Sequence, residues 1–139
     1  MESKTKDIET LDTCVILRAF TMDMPEQVAK VKKMLKKEGV RYYVSDMAVT
    51  EAVHVMEHKK YDYQYSRERI RTVVLGFLGM SNICNGTGIF EGVFQLYLEH
   101  PKLSFVDCYL AVQAGLQGTT PLWTFDRKLA GQAEEAKLV

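Results

Sequence analysis

The sequence has few cysteines, no long apolar run and no repeat. Its three cysteines, Cys14, Cys84 and Cys108, are scattered and odd in number, so they indicate neither a disulfide framework nor a paired-cysteine zinc site. The best apolar run, residues 72–80, is about half of the roughly 18 residues that a membrane span requires. The first ten residues lack the apolar region of a secretion signal. We therefore expect a cytoplasmic protein without a membrane segment.

An excess of either charge is absent as well. Lysine and arginine together number 18, as do aspartate and glutamate, so the formal net charge is zero. This balance does not indicate an obligate polyanion binder, and any contact with nucleic acid must come from local patches. The 139 residues are 47% hydrophobic, which is enough for one core. We expect a single domain over residues 1–139.

Short apolar runs alternate with amphipathic segments along the chain. We expect strands at 8–20 (running on into a turn or short helix), 40–45, 81–84 and 120–125. We expect helices at 24–39, 46–60, 66–80, 87–100, 104–118 and 126–136. Strands that alternate with helices indicate an α/β protein with a parallel sheet, in which ligands bind beyond the carboxyl ends of the strands.

Four acids are candidates for such a site: one after the first strand, one on a following helix, one at the start of the fifth helix and one after the last strand. Asp12 interrupts the apolar run of the first strand, where a lone carboxylate is expensive to bury. Glu51 lies beside the inward stripe of its helix, but it could equally be an edge residue that reaches water. Asp107 has the spacing of a capping box with Ser104. Asp126 follows the strand at 120–125 and could be a helix N-cap.

On a parallel sheet these four acids can meet at one edge. Several carboxylates without lysine or arginine partners repel one another unless a hard divalent cation lies between them. Mg²⁺ and Mn²⁺ prefer such oxygen ligands. A site of this kind suits phosphodiester hydrolysis, because the metal lowers the pKa of a bound water and stabilises the departing oxyanion.

The residues also carry a family resemblance. The segments "LDTCVILRAFTMDMPEQVAKVKKML", "YVSDMAVTEAVHVM", "LSFVDCYLAV" and "WTFDRKLA" resemble the successive motifs of the PIN domain, and most of all those of VapC-type toxins. The likeness extends from about residue 8 to residue 131. It implies a three-layer α/β/α sandwich with a central, mostly parallel sheet of four to five strands.

The resemblance further implies a Mg²⁺- or Mn²⁺-dependent endoribonuclease that cuts RNA. As the toxin of a toxin–antitoxin pair, it would form a homodimer and be inhibited by a cognate antitoxin. The acidic positions of the family fall on Asp12, Glu51, Asp107 and Asp126, and its supporting hydroxyls on Thr13 and Thr124. Of these, Asp12, Asp107 and Asp126 would bind the metal, with Glu51 acting directly or through water. Cys14 stands where the family usually has asparagine, and we interpret it as a buried thiol.

Two other functions are open at this point. A non-catalytic binding module could use the same fold. The segment "HVMEH" contains His54, Glu57 and His58 in the inverted zincin pattern, with Glu134 as a possible third ligand of a zinc peptidase. Short motifs of this kind often match by accident.

Three surface features complete the predictions. The segment 59–69 mixes bases and tyrosines, and we interpret it as a solvated connection, with an RNA or antitoxin surface as the alternative. The lysines at 32, 33, 36 and 37 are interpreted as a solvated helix face. Apolar area expected to contribute to the homodimer interface lies at Val74, Phe77, Leu78, Phe90 and Phe94.

Overall fold

The structure is a computed structural model that describes residues 7–58 and 63–139. Its strands are β1 (Asp7–Thr10), β2 (Val40–Tyr43), β3 (Ile83–Cys84), β4 (Leu122–Thr124) and β5 (Ala136–Leu138). Its helices are α1 (Thr13–Thr21), α2 (Pro25–Leu35), α3 (Asp46–Glu57), α4 (Arg67–Leu78), α5 (Phe90–Glu99), α6 (Phe105–Gln117) and α7 (Arg127–Gln132). The chain divides into two compact units, of which the first ends at Thr87 and the second begins at Gly88.

The first unit contains a parallel sheet in the order β1-β2-β3. Helix α1 packs against α2, α3 and α4. Serine hydroxyls begin two of these helices, because Ser45 accepts the N–H of Ala48 in α3 and Ser66 accepts the N–H of Arg69 in α4. The core of this unit is aliphatic at its centre, with Ile16 and Val49 fully buried.

The second unit consists of α5, α6 and α7 with the parallel strands β4 and β5. Its core is aromatic. Phe105 lies within 5.1 Å of Phe94 and 5.2 Å of Tyr97, measured between ring centroids, and all three rings are buried. Aromatic pairs at these distances stabilise beyond their buried area alone. Helix α6 ends at Gln117, and its C-cap Gly118 has a φ of +69°, the left-handed conformation that glycine adopts most easily.

The α/β class with parallel strands is confirmed, and hydrogen bonds join the strands as a sheet of three and a sheet of two. The helix predicted over 126–136 is wrong beyond Gln132, because Ala136–Leu138 forms β5 instead. The backbone N–H of Leu122 donates to the carbonyl of Glu135 at 2.8 Å, so pairing with β4 outweighs the helical propensity of this polar segment. None of the described helices combines the length and the apolarity needed to cross a bilayer.

The residues predicted for a homodimer interface belong mostly to the interior. Four of them, Val74, Phe77, Phe90 and Phe94, are at most 7% exposed within the single chain. Only Leu78 is half-buried. The interpretation of these side chains as surplus apolar area is therefore wrong, since the core of one chain already uses them. Dimerisation itself stays a prediction.

Candidate active site

Asp12 lies where the chain leaves the first sheet and enters α1. Leu11 extends the pairing of β1 with β2 by one residue, its N–H donating to the carbonyl of Tyr43 at 3.0 Å. Asp12 then caps α1, and its Oδ1 accepts the N–H of Thr13 at 2.7 Å. The carboxylate is exposed. The prediction that Asp12 interrupts a buried strand is therefore wrong, because the strand ends at Thr10 and the carboxylate stays in water.

Glu51 comes from α3 and reaches the same turn. It is exposed, and its Oε2 accepts from the hydroxyl of Thr13 at 3.5 Å, the long limit of a hydrogen bond. This contact joins residues that are 38 positions apart in the sequence. Within the described ranges, neither Asp12 nor Glu51 forms an ion pair. The first unit thus brings two carboxylates without a cation to one turn, with a threonine hydroxyl beside them.

Cys14 also lies at this turn. Its thiol is exposed and lies 3.6 Å from Oδ2 of Asp12, a distance at which a thiol can donate a weak hydrogen bond to a carboxylate. The interpretation of Cys14 as a buried thiol is wrong, because the first residues of α1 stand clear of the core. A thiol is a weaker hydrogen-bond donor than a side-chain amide, so this contact restrains Asp12 only weakly.

A further support of this region was missed from the sequence. Oδ1 of Asp46, the first residue of α3, accepts from the Asn85 side-chain amide at 2.7 Å and from the Thr87 hydroxyl at 2.9 Å. The same Asn85 amide donates to the carbonyl of Val44 at 2.8 Å. This network fixes the start of the helix that carries Glu51 to the end of β3. A usable signal existed, because Asp46 and Asn85 each closely follow a predicted strand.

Asp107 and Asp126 belong to the second unit, and each lies at the start of a helix. Asp107 is half-buried in the first turn of α6, and its N–H donates to the hydroxyl of the N-cap Ser104 at 3.1 Å. The Asp126 carboxylate is exposed and accepts the N–H groups of Lys128 and Leu129 at 2.8 and 3.2 Å. Both positions favour an acid for structural reasons alone, since the N-terminal end of a helix attracts negative charge.

Thr124 holds the turn that contains Asp126. Its hydroxyl accepts the backbone N–H of Asp126 at 2.9 Å, just after β4 ends. The hydroxyl therefore fixes the backbone from which the Asp126 carboxylate projects. Thr13 and Thr124 were both expected to support the acids, but their contacts differ. The Thr13 hydroxyl donates to the Glu51 carboxylate, whereas the Thr124 hydroxyl accepts from the backbone amide of Asp126.

The donors at these positions suit a hard divalent cation. Asp12 and Glu51 offer exposed carboxylate oxygens, which are the ligands that Mg²⁺ and Mn²⁺ prefer when they keep part of their water shell. In the part of the chain that the structure describes, no three His, Cys, Asp or Glu side chains are grouped so that they could hold a metal. The residues therefore fit a cation chemically, while the full ligand set expected of Asp12, Asp107 and Asp126 stays a prediction.

The two histidines of the zincin pattern are weaker candidates for a metal site than the acids. The rings of His54 and His58 lie 5.0 Å apart between centroids, on the exposed side of α3. Glu134 belongs to the second unit, and no third ligand completes a metal-binding group among the described side chains. No observation favours the zinc peptidase over an accidental match.

The tyrosine-rich segment is described in part, since residues 59–62 lie outside the described ranges. The Tyr63 hydroxyl donates to Asp23 and accepts from Arg18, which also pairs with Asp23. Partial burial raises the pKa of the Asp23 carboxyl, but hydrogen bonds from Thr21, Tyr63 and Arg18 outweigh it, so the pKa lies below its usual value. The hydroxyl of Tyr63 is thus engaged within the protein.

Comparison with known proteins gives one match. The model of the PIN domain family matches residues 10–135, and this range includes all four predicted acids. No curated protein matches the sequence significantly. The match covers far more than half of the chain and includes residues of both compact units. The chain therefore belongs to the PIN domain family, whose members are commonly metal-dependent nucleases.

Proposed function

We propose that the protein is a metal-dependent endoribonuclease of the VapC type, the toxin of a toxin–antitoxin pair that a cognate antitoxin inhibits. The observation that carries this proposal is the contact of Glu51 with Thr13, beside Asp12. A helix cap explains Asp12, and exposure on a helix surface would by itself explain Glu51, but Glu51 also contacts Thr13 at the turn that contains Asp12. The match over residues 10–135 supports a nuclease on independent grounds.

Electrostatics support a bound cation in this reaction. Two exposed carboxylates repel a phosphodiester, and no described lysine or arginine neutralises them. When bound, Mg²⁺ or Mn²⁺ would supply positive charge to the phosphate and acidify water. We propose that Asp12 and Glu51, together with Asp107 and Asp126 of the second unit, supply the carboxylates on which this cation depends.

The side chains of the protein have separate tasks in this proposal. The helix cap holds the Asp12 carboxylate in one orientation, because the N–H of Thr13 occupies its Oδ1. The Thr13 hydroxyl restrains Glu51, and the Thr124 hydroxyl restrains the backbone of Asp126. Carboxylates held before the substrate arrives need less reorganisation during the reaction. Hydrolysis adds water to phosphorus and releases the 3′ oxygen of the RNA.

Association and location complete the proposal. We propose a homodimer in the cytoplasm, where RNA and an antitoxin are present. Its interface must use apolar residues other than the buried set described above, and Val106 and Leu110 of α6 are examples, at 48% and 39% exposed. An antitoxin would inhibit by offering an arginine or lysine to the acids in place of the metal.

The test is RNA cleavage by protein purified free of any antitoxin. Single-stranded RNA should be cut in Mg²⁺ or Mn²⁺ and left intact in EDTA. Asp12→Asn should lower the rate by about 10²–10³-fold, since it removes charge needed in the transition state. Asp7→Asn is the matched control, because Asp7 is an exposed aspartate of the adjoining strand, and it should keep the wild-type rate. Binding of RNA without cleavage under all of these conditions would favour the non-catalytic module.

A further inference from the structure

Five lysines are concentrated around the end of α2. They are Lys30, Lys32, Lys33, Lys36 and Lys37, and all are exposed. Four of them, with Met34, line an open groove of about 500 Å³. None forms an ion pair with a carboxylate of residues 7–58 or 63–139. In a chain whose net charge is zero, this is a strong local positive patch.

The helix dipole explains only part of this patch. Cations stabilise a helix C-terminus within its last turn, and Lys32 and Lys33 occupy that turn. Helix α2 ends at Leu35, so Lys36 and Lys37 lie beyond it. Lys30 lies before the last turn and also lines the groove. The helix dipole therefore accounts for Lys32, Lys33 and, at the C-cap, Lys36. It leaves Lys30, which lies before the last turn, and Lys37, which follows the cap, without a role at the helix end.

The groove lies at the edge of the first sheet opposite to Asp12. The Tyr42 hydroxyl donates to the carbonyl of Met34 at 2.8 Å, and the Asn82 amide donates to the carbonyl of Leu35 at 2.7 Å. Asn82 immediately precedes β3, so the end of α2 is fixed near the amino end of a parallel strand. Asp12 follows the carboxyl end of β1. A four-residue strand is roughly 13 Å long, so the end of α2 and the Asp12 turn lie about one strand length apart along the sheet.

We propose that this lysine groove binds the phosphate backbone of the RNA substrate, as a docking site separate from the acids. The inference rests on the proposed nuclease function. Lysine binds phosphate as a point charge, and the helical residues from Lys30 to Leu35 span roughly 8 Å, with Lys36 and Lys37 beyond them. The patch is therefore long enough to contact more than one phosphate of an RNA strand. The apolar Met34 lets the stems of the lysines pack while their ammonium groups reach the backbone.

The position of the groove has a consequence for the substrate. An RNA that occupies both the groove and the Asp12 turn must extend along a strand length of the first unit. A short oligonucleotide that reaches the acids gains nothing from the lysines, whereas a long or folded RNA gains several ionic contacts. The protein should therefore bind and cut long RNA in preference to short RNA of the same cleavage sequence.

The experiment compares two double variants with the same loss of charge. Lys33→Gln/Lys37→Gln removes two groove lysines, and Lys102→Gln/Lys137→Gln removes two exposed lysines of the second unit. Binding is measured in EDTA with Asp12→Asn in every protein, so that cleavage does not interfere. RNAs of about 5 and about 30 nucleotides are titrated from about 50 to 200 mM salt.

For the long RNA, the plot of log binding constant against log salt falls with a negative slope. In the groove variant this slope should be shallower by about 1.4, or 0.7 for each lost contact. The short RNA, which carries few phosphates, should show a smaller change of slope, and the control variant should bind both RNAs as wild type does. Equal slopes in the groove variant and wild type would overturn the proposal. Loss of polyglutamate binding with RNA binding intact would also overturn it, and would assign the groove to an acidic protein.

Cleavage assays in the wild-type background separate the two proposals. The groove variant should raise KM for the long RNA and leave kcat unchanged. If no RNA is cut with Mg²⁺ while the slope difference persists, the nuclease proposal fails and the docking site stands. If cleavage occurs and the slopes are equal, the reverse holds.

Discussion

Both units hold an acid by a local helix cap, Asp12 in the first and Asp126 in the second, but the first unit adds a distant contact. In the first unit, Glu51 contacts Thr13 across 38 positions of sequence, and the contact fixes no helix end. In the second unit, Asp107 and Asp126 lie within hydrogen bonds that connect residues at most three positions apart. A local capping bond has a structural use whether or not the protein is an enzyme. The distant contact of Glu51 is therefore the stronger indication of function, because the acids of the second unit have a structural use that is independent of any chemistry.

The largest expected effect is that of Glu51→Gln. The rate of RNA cleavage should fall by about 10²-fold or more, because the variant loses a charge required near the cation. The free energy of unfolding should change by less than about 0.5 kcal/mol, since the side chain is exposed. Urea denaturation and initial cleavage rates measure the two quantities. Glu134→Gln, another exposed glutamate, is the control and should match wild type in both.

A large loss of stability in Glu51→Gln would place this residue with the structural acids and remove the contrast between the units. Normal cleavage by the variant would remove its proposed role in the chemistry.

The second prediction separates cap from catalyst in α6. Ser104→Ala removes the hydroxyl that accepts the N–H of Asp107, and it should cost about 1 kcal/mol of stability with cleavage retained. Asp107→Asn keeps that cap and loses only first-turn charge, so it should cost a few tenths of a kcal/mol and abolish cleavage. Thermal melting and RNA cleavage on the same samples check both. If Ser104→Ala and Asp107→Asn behave alike, Asp107 serves the helix alone.

These contrasts also show what the sequence can predict. Serine caps, apolar periodicity and strand–helix alternation are local signals, so the helices from α2 to α6 were predicted with errors mainly at their ends. The strand predicted at 8–20 was placed correctly at its start but extended too far, because "CVIL" has high strand propensity, whereas the aspartate cap begins a helix there. Strand β5 was missed because its pairing with β4 is a tertiary interaction.

The candidate site also combines features that local sequence predicts with features that depend on tertiary packing. The acids themselves could be selected from their sequence positions and the family resemblance. The contact between Thr13 and Glu51, and the exposure of Cys14, depend on how α3 packs against α1. No local pattern contains that information.

The smallest predicted effect concerns Asp23, which lies away from the acids discussed above. Its pKa is lowered in the folded protein, where hydrogen bonds from Thr21, Tyr63 and Arg18 outweigh the effect of burial. The stabilisation by this carboxylate is therefore present above the unfolded pKa near 4, and is lost as the pH falls through the lower folded value.

Urea midpoints of wild type and Asp23→Asn should differ by a constant amount above about pH 5 and converge below about pH 4. Asp7→Asn should follow wild type throughout this range. A difference that grows toward low pH would contradict the assigned direction of the shift.

The most direct test of the central claim is calorimetric titration of Mn²⁺ into the RNA-free protein. The claim is that the carboxylates of Asp12 and Glu51 bind the divalent cation on which cleavage depends. Wild type and Asp7→Asn should bind Mn²⁺ with the same affinity, and Asp12→Asn and Glu51→Gln should each bind it at least about tenfold more weakly, because each loses a charged oxygen ligand. Equal Mn²⁺ affinity in all four proteins would contradict the claim.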